Sequence, residues 1–239
     1  MKKIMFMIIG MAVVFATVPA RADDDDHRVY YLRSSVMPPW DVTSNEVDMN
    51  DVFGYQSWRD RQYQTVNMSR LLSPSTKTIF MEGGDTNANV LKSFLDTNRN
   101  AIMAWVAAGG RLFINTAPNE GGNIDLGFGV TLNFNMDYST ASNNGYAVDS
   151  NHPIFSQNLQ PVGFSFAGGD AFSHGYMSGS GFSTVMVDDQ NRPVLVELRY
   201  GSGLVLLGGM TVDIFQSPWP ESHNLRTNII WYVATAQLN

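Results

Sequence analysis

The chain has 239 residues, 44% of them hydrophobic, with 22 acidic against 15 basic side chains and no cysteine. The acidic balance makes nucleic acid a poor partner, because phosphate binding needs a basic footprint. The missing cysteine excludes disulfides, thiolate metal sites and cysteine nucleophiles, so the fold has to stand on packing.

Residues 1–22 read MKKIMFMIIGMAVVFATVPARA: two lysines, an apolar run from Ile4 to Val18, Pro19, and Ala20 and Ala22 flanking Arg21. This pattern predicts a secretory signal peptide, and the apolar run is short for a resident membrane helix. The expected mature chain is exported, periplasmic or extracellular, with no membrane contact after cleavage. Cleavage removes three bases and no acid, moving the formal charge from −7 to −10. The remainder, residues 23–239, is long enough for one α/β domain.

The acidic run 23–26 reads as a solvated tail. Residues 28–33 (RVYYLR) predict a first strand, followed by the loop Met37-Pro38-Pro39-Trp40-Asp41. Thr43 with Glu46 has capping-box spacing and opens a short helix that Gly54 closes. A weaker strand is expected over 63–66. Residues 77–81 (KTIFM) predict a buried strand ending in Glu82-Gly83-Gly84-Asp85, with Thr86 or Asn87 capping a long helix. Leu91, Phe94, Leu95, Ile102, Trp105 and Val106 share one face of that helix, and Gly109 and Gly110 end it. Residues 111–115 form the next strand, so the spacing is that of a parallel βαβ unit.

Beyond Gly121 short β-rich pieces follow, at 129–135, 164–166, 182–187, 193–200 and 203–207. The turns 188–191 and 200–203 predict hairpins. Ser222 is placed to cap a last helix that turns Leu225, Ile229, Tyr232, Val233 and Ala236 inward.

The order of these pieces resembles the class I glutamine amidotransferase-like superfamily, in its trehalose-utilisation-type and β-galactosidase-trimerisation-type branches. The features are the strand ending in Gly83-Gly84, the helix and strand that follow, Asn151-His152-Pro153-Ile154, the hairpin Tyr200-Gly201-Ser202-Gly203-Leu204-Val205, and Asn228-Ile229-Ile230-Trp231. The resemblance implies an α/β, flavodoxin-like three-layer sandwich with a mainly parallel sheet and antiparallel C-terminal hairpins. It also implies a nucleophile elbow at Asn115-Thr116-Ala117-Pro118, where the family's cysteine falls at Ala117, or at Thr116 one residue earlier. The family's histidine would stand near 208–213, where this chain has none. Fold without thiol chemistry is the implied outcome, that of a pseudoenzyme.

The four histidines, His27, His152, His174 and His223, show no His-x-x-x-His or His-Glu spacing, so no metal or other cofactor is expected. His152 reads as a turn residue bonded to the backbone. No Gly-x-Ser-x-Gly is present, and Asp85-Thr86-Asn87-Ala88-Asn89 departs from a calcium loop at Val90 and Asp96. Two tryptophans stand in proline-framed loops, Trp40-Asp41 and Trp219, both following strands. In an open sheet such loops surround the ligand crevice, together with Gly83, Gly84, Asp85, Thr116, Ala117, Asn119, Glu120 and Asp213. Tryptophan faces beside carboxylates and amides suit a glycan or another small-molecule ligand; the competing reading is that both rings cover the core edge. Two further readings stay open: a hydrolase, glycan-directed, with a site rebuilt from Asp85, Glu120, Asp170, His174 and Asp213, and an oligomerisation module whose partner is a second copy.

Overall fold

A computed structural model describes residues 28–135, 142–169 and 171–238. The leader expected over 1–22, the acidic run, His27 and Asp170 lie outside these residues. In chain order the elements are β1 (Val29–Arg33), α1 (Ser44–Phe53), β2 (Arg59–Gln62), α2 (Met68–Leu71), β3 (Thr78–Glu82), α3 (Ala88–Ala107) and β4 (Arg111–Asn115). They continue as β5 (Ile124–Gly127), β6 (Val130–Phe134), β7 (Asn144–Ala147), α4 (Pro153–Ser156), β8 (Ser165–Ala167), β9 (Gly175–Gly179), β10 (Ser183–Asp188), β11 (Pro193–Tyr200), β12 (Gly203–Gly208) and α5 (Glu221–Thr235). No described helix is long and apolar enough to cross a membrane.

Nine strands form one sheet in the order β2-β1-β3-β4-β12-β11-β10-β7-β8, and β5-β6-β9 form a second. The run from β2 to β12 is parallel, and every pairing from β12 outward to β8 is antiparallel. Strand period sorts the side chains onto two faces. Tyr30, Leu32, Ile79, Met81, Leu112, Ile114, Val205 and Leu207 point into a core shared with α3 and the small sheet. Tyr31, Phe80, Phe113, Leu204 and Leu206 point the other way, into a core closed by Leu225, Ile229, Ile230 and Val233 of α5.

The architecture corrects the flavodoxin-like three-layer sandwich with a mainly parallel sheet. The fold is β-rich, with a mixed nine-stranded sheet, and an antiparallel sheet takes part in covering one face. The physical reason lies in the connections. A parallel neighbour needs a crossover of a dozen residues or more, whereas a hairpin needs two. The chain supplies a long crossover between β3 and β4, but tight turns join β10 to β11 and β11 to β12. In the second turn Gly203 is obligatory by contact: a Cβ there would lie 2.1 Å from the Val106 carbonyl oxygen.

Local expectations differ in four places. The strand expected over 63–66 is instead β2, the polar RDRQ, held by parallel pairing to β1. Thr43 makes no side-chain cap, and Glu46 pairs with Arg33 at 3.3 Å. The final helix starts at Glu221 after Pro220, and Ser222 Oγ, fully buried, caps nothing. Asn87 makes no side-chain cap on α3; Asp85 is left-handed (φ 54°) and accepts from Asn119 Nδ2 at 2.7 Å. His152 does act as a turn residue, its Nδ1 accepting from the Ile154 amide at 3.3 Å at the start of α4.

Candidate functional site at the strand ends

The loops that leave the carboxyl ends of β1, β3, β4 and β12 meet over one end of the parallel strands, the position at which open sheets hold ligands. Trp40 comes from the first of these, a 3-10 turn at Pro39–Asp41 in which Trp40 and Asp41 both sit in the left-handed region, at φ 60° and 53°. A non-glycine residue so placed costs on the order of 1–3 kcal/mol, so the surroundings have to fix it. They do: the Trp40 ring stands edge-on to His174 (5.0 Å, 89°) and to Phe215 (5.7 Å, 76°). On its other side Gly84 leaves room, since a Cβ there would fall 2.5 Å from Trp40 Nε1.

These rings wall a cavity of about 370 Å³, lined by Trp40, Gly168, Gly169, Ala171, His174, Thr211 and Phe215. Trp40 Nε1 is buried with no hydrogen-bond partner among the described residues. His174 Nδ1 lies 3.1 Å from the Pro118 carbonyl oxygen, which can only accept, so Nδ1 carries the proton. Burial lowers the His174 pKa, with the Pro118 bond opposing that shift. The ring is therefore neutral at pH 7, with Nε2 an acceptor.

The other residues expected at the rim divide into two groups. Gly83 packs against Leu91, Thr116 Oγ1 donates to the Gly83 carbonyl at 2.8 Å, and Ala117 is fully buried. The elbow thus ends in an enclosed methyl. Asp85 bridges backbone-to-backbone with Pro118 and holds Asn119, while Glu120 is exposed and accepts from Asn89 of α3 at 2.9 Å. Asp213 and Trp219 belong to a neighbouring cavity of about 280 Å³, with Val42, Thr43, Ser44, Val47, Ile214 and His223. The residues of the rebuilt hydrolase site do not form one bonded set among those described. His174 faces Trp40, Glu120 faces Asn89, and Asp213 bonds His223.

Sequence reasoning missed the residues beneath the rim. Glu82, fully buried at the end of β3, accepts from the Gly84 amide (2.8 Å), Asn115 Nδ2 (3.0 Å) and Asn45 Nδ2 (3.4 Å). It also pairs with Arg226 of α5 at 3.5 Å. Burial pushes its pKa up to about 7, against the pull of Arg226 and the amides. In the second cavity His223 Nδ1 lies 2.9 Å from Asp48 Oδ1 and 3.0 Å from Asp213 Oδ2, and Nε2 lies 2.9 Å from Asp51. The hydrogen bond to Asp48 is the largest influence pushing His223 up to about 10, and burial pushes Asp48 up to about 7. A carboxylate at a strand's last residue beside Gly-Gly was a readable signal for Glu82. For His223 there was none, because its partners stand far away in sequence.

No family model matches the chain, and no curated protein matches it. The amidotransferase-like resemblance thus stands on its motifs alone. Solved structures similar to the chain include the β-galactosidase from Bacillus circulans sp. alkalophilus, at 9% identity and a TM-score of 0.48. The match covers 87% of this chain and 30% of that one, so the chain spans about a third of that protein's length. Cytoplasmic protein STM3548 from Salmonella typhimurium is similar at 12% identity and a TM-score of 0.49, covering 87% of this chain and 99% of the other. Exo-β-1,4-mannosidase Op5Man5 from Opitutaceae bacterium strain TAV5 matches at 14% identity and a TM-score of 0.46, covering 86% and 35%. These proteins are what the chain is similar to in shape.

Proposed function

We propose that this exported protein binds a neutral sugar, free or as part of a glycan, in the Trp40 cavity and performs no chemistry on it. The observation that carries the reading is the cavity of about 370 Å³ walled by the Trp40 ring, which His174 and Phe215 hold edge-on. Aromatic walls suit the C–H faces of a pyranose, and His174 Nε2 offers a directional acceptor. None of the lining residues is a lysine or arginine and His174 is neutral, which favours an uncharged ligand over a phosphate.

The test is a tryptophan-fluorescence titration of the mature chain with neutral mono- and disaccharides. A saturable response is expected, with Trp40→Ala weakening binding about tenfold or more and Trp219→Ala leaving it nearly unchanged. No response to any sugar, or equal affinity in Trp40→Ala, overturns the reading. Gly84→Ala gives an independent check, because its methyl would collide with Trp40 Nε1 and lie 2.9 Å from Glu82 Oε1. It is expected to shift the Trp40 emission, weaken sugar binding, and cost about 1–3 kcal/mol in a urea melt.

A further inference from the structure

We propose that Asp48, Asp213 and His223 form a binding site for one divalent cation of the zinc or manganese kind. The site lies in the second cavity and is independent of the sugar reading. Three elements build it: Asp48 projects from α1, Asp213 from the 3-10 turn Asp213–Phe215 after β12, and His223 from the first turns of α5. One donor atom from each residue gathers within 4.8 Å of the others. The Nδ1-to-carboxylate distances are 2.9 and 3.0 Å. An ion bonded at about 2.1 Å to adjacent ligands sets its donor atoms about 3 Å apart, and these two distances match that spacing.

Three further observations separate this cluster from a plain ion pair. A single Nδ1 proton cannot serve both carboxylates, and Asp48 Oδ2 and Asp213 Oδ1 remain buried without partners. Ser44 Oγ, on a residue 8% exposed that lines the same cavity, has no partner either. On the far side of the ring, Nε2 meets Asp51 at 2.9 Å. An outer carboxylate holding one ring nitrogen is how proteins fix the tautomer and aim of a metal-binding histidine. Three carboxylates outnumber the single positive charge of the His223 ring, and a divalent ion taking the place of its Nδ1 proton would neutralise the excess. Arg226 in the layer below pairs with Glu82 and donates to the Thr211 carbonyl. The donors, one imidazole and two carboxylates, suit zinc or manganese better than calcium.

Metal is stripped from the mature chain by chelation, and Zn²⁺ or Mn²⁺ is titrated calorimetrically. One equivalent is expected to bind in the wild type, with affinity reduced about tenfold or more in Asp213→Asn and His223→Gln. Circular dichroism establishes that the variants fold. Should either fail to fold, nitrogen NMR of the wild type decides instead. Added Zn²⁺ is expected to move the His223 Nδ1 resonance to a metal-bound position and leave Nε2 protonated. Binding that is absent, equally strong in the folded variants, or silent at His223 Nδ1 overturns the proposal.

Discussion

Replacing Glu82 by leucine at about pH 8, where its carboxyl is ionised, is expected to remove about 3–5 kcal/mol of stability, and Arg226→Leu a similar amount, because each strands a buried charge. Both partners are enclosed, Glu82 at 0% and Arg226 at 2% exposure. The double variant Glu82→Leu/Arg226→Leu should lose distinctly less than the two single losses together, since neither charge is then left alone. Urea melts of the four proteins measure the coupling. The same carboxyl gives a pH dependence of known sign. Its pKa in the folded protein, about 7, lies above the ordinary value of 4.5, so the folded state holds the proton to higher pH. That contribution is fully present below about pH 4.5 and is lost as pH rises through about 7, on the order of 2–3 kcal/mol. Glu82→Gln should flatten this part of the profile. A wild-type stability that rises between pH 5 and 7, unchanged in Glu82→Gln, would contradict the assignment.

Phe113→Ala is expected to cost about 3–5 kcal/mol, through lost burial and a cavity in the middle of the sheet. Phe113 is fully buried on β4 and stacks on Phe80 of β3, with centroids 4.7 Å apart and planes within 17°. The Arg226 guanidinium lies over both rings, 5.7 Å from Phe113 and 6.0 Å from Phe80. Truncating Phe113 therefore also loosens the cation that serves Glu82. At about 2–4 °C per kcal/mol for a chain of this size, the melting temperature should fall by roughly 10 °C. The effect should not add to that of Arg226→Leu, because the two side chains touch. Additivity within about 0.5 kcal/mol in a double-variant melt would mean that the rings and the ion pair are energetically separate.

The legible parts of the fold were those with local signals. Residues 77–115 read correctly as strand, helix and strand, because the apolar period changes from two to 3.6 between glycine breaks. The turns 188–191 and 200–203 do connect antiparallel strands. Of the small sheet only β6 was legible, as the piece 129–135: β9, GYMSG, carries no hydrophobic alternation, and it is placed by pairing with β6. The strand β2 was missed for the same reason. At the site, proline and glycine punctuation pointed to Trp40, Gly83 and Gly84. Phe215 and Thr211 were not singled out, since aromatic and β-branched residues after a strand are ordinary core material. The three partners of His223 stand at positions 48, 51 and 213, and only the packing of α1 and of the 3-10 turn Asp213–Phe215 against α5 unites them. Spacing rules written for ligands on one helix cannot register such a set.

The polar β2 also bears on how copies of the chain could meet. It forms one border of the nine-stranded sheet and reads Arg-Asp-Arg-Gln, so an incoming strand would have to lie along a row of charges. The opposite border, β8, is three residues long, too brief to template a partner's backbone. Extension of the nine-stranded sheet from molecule to molecule is thereby discouraged at both of its margins.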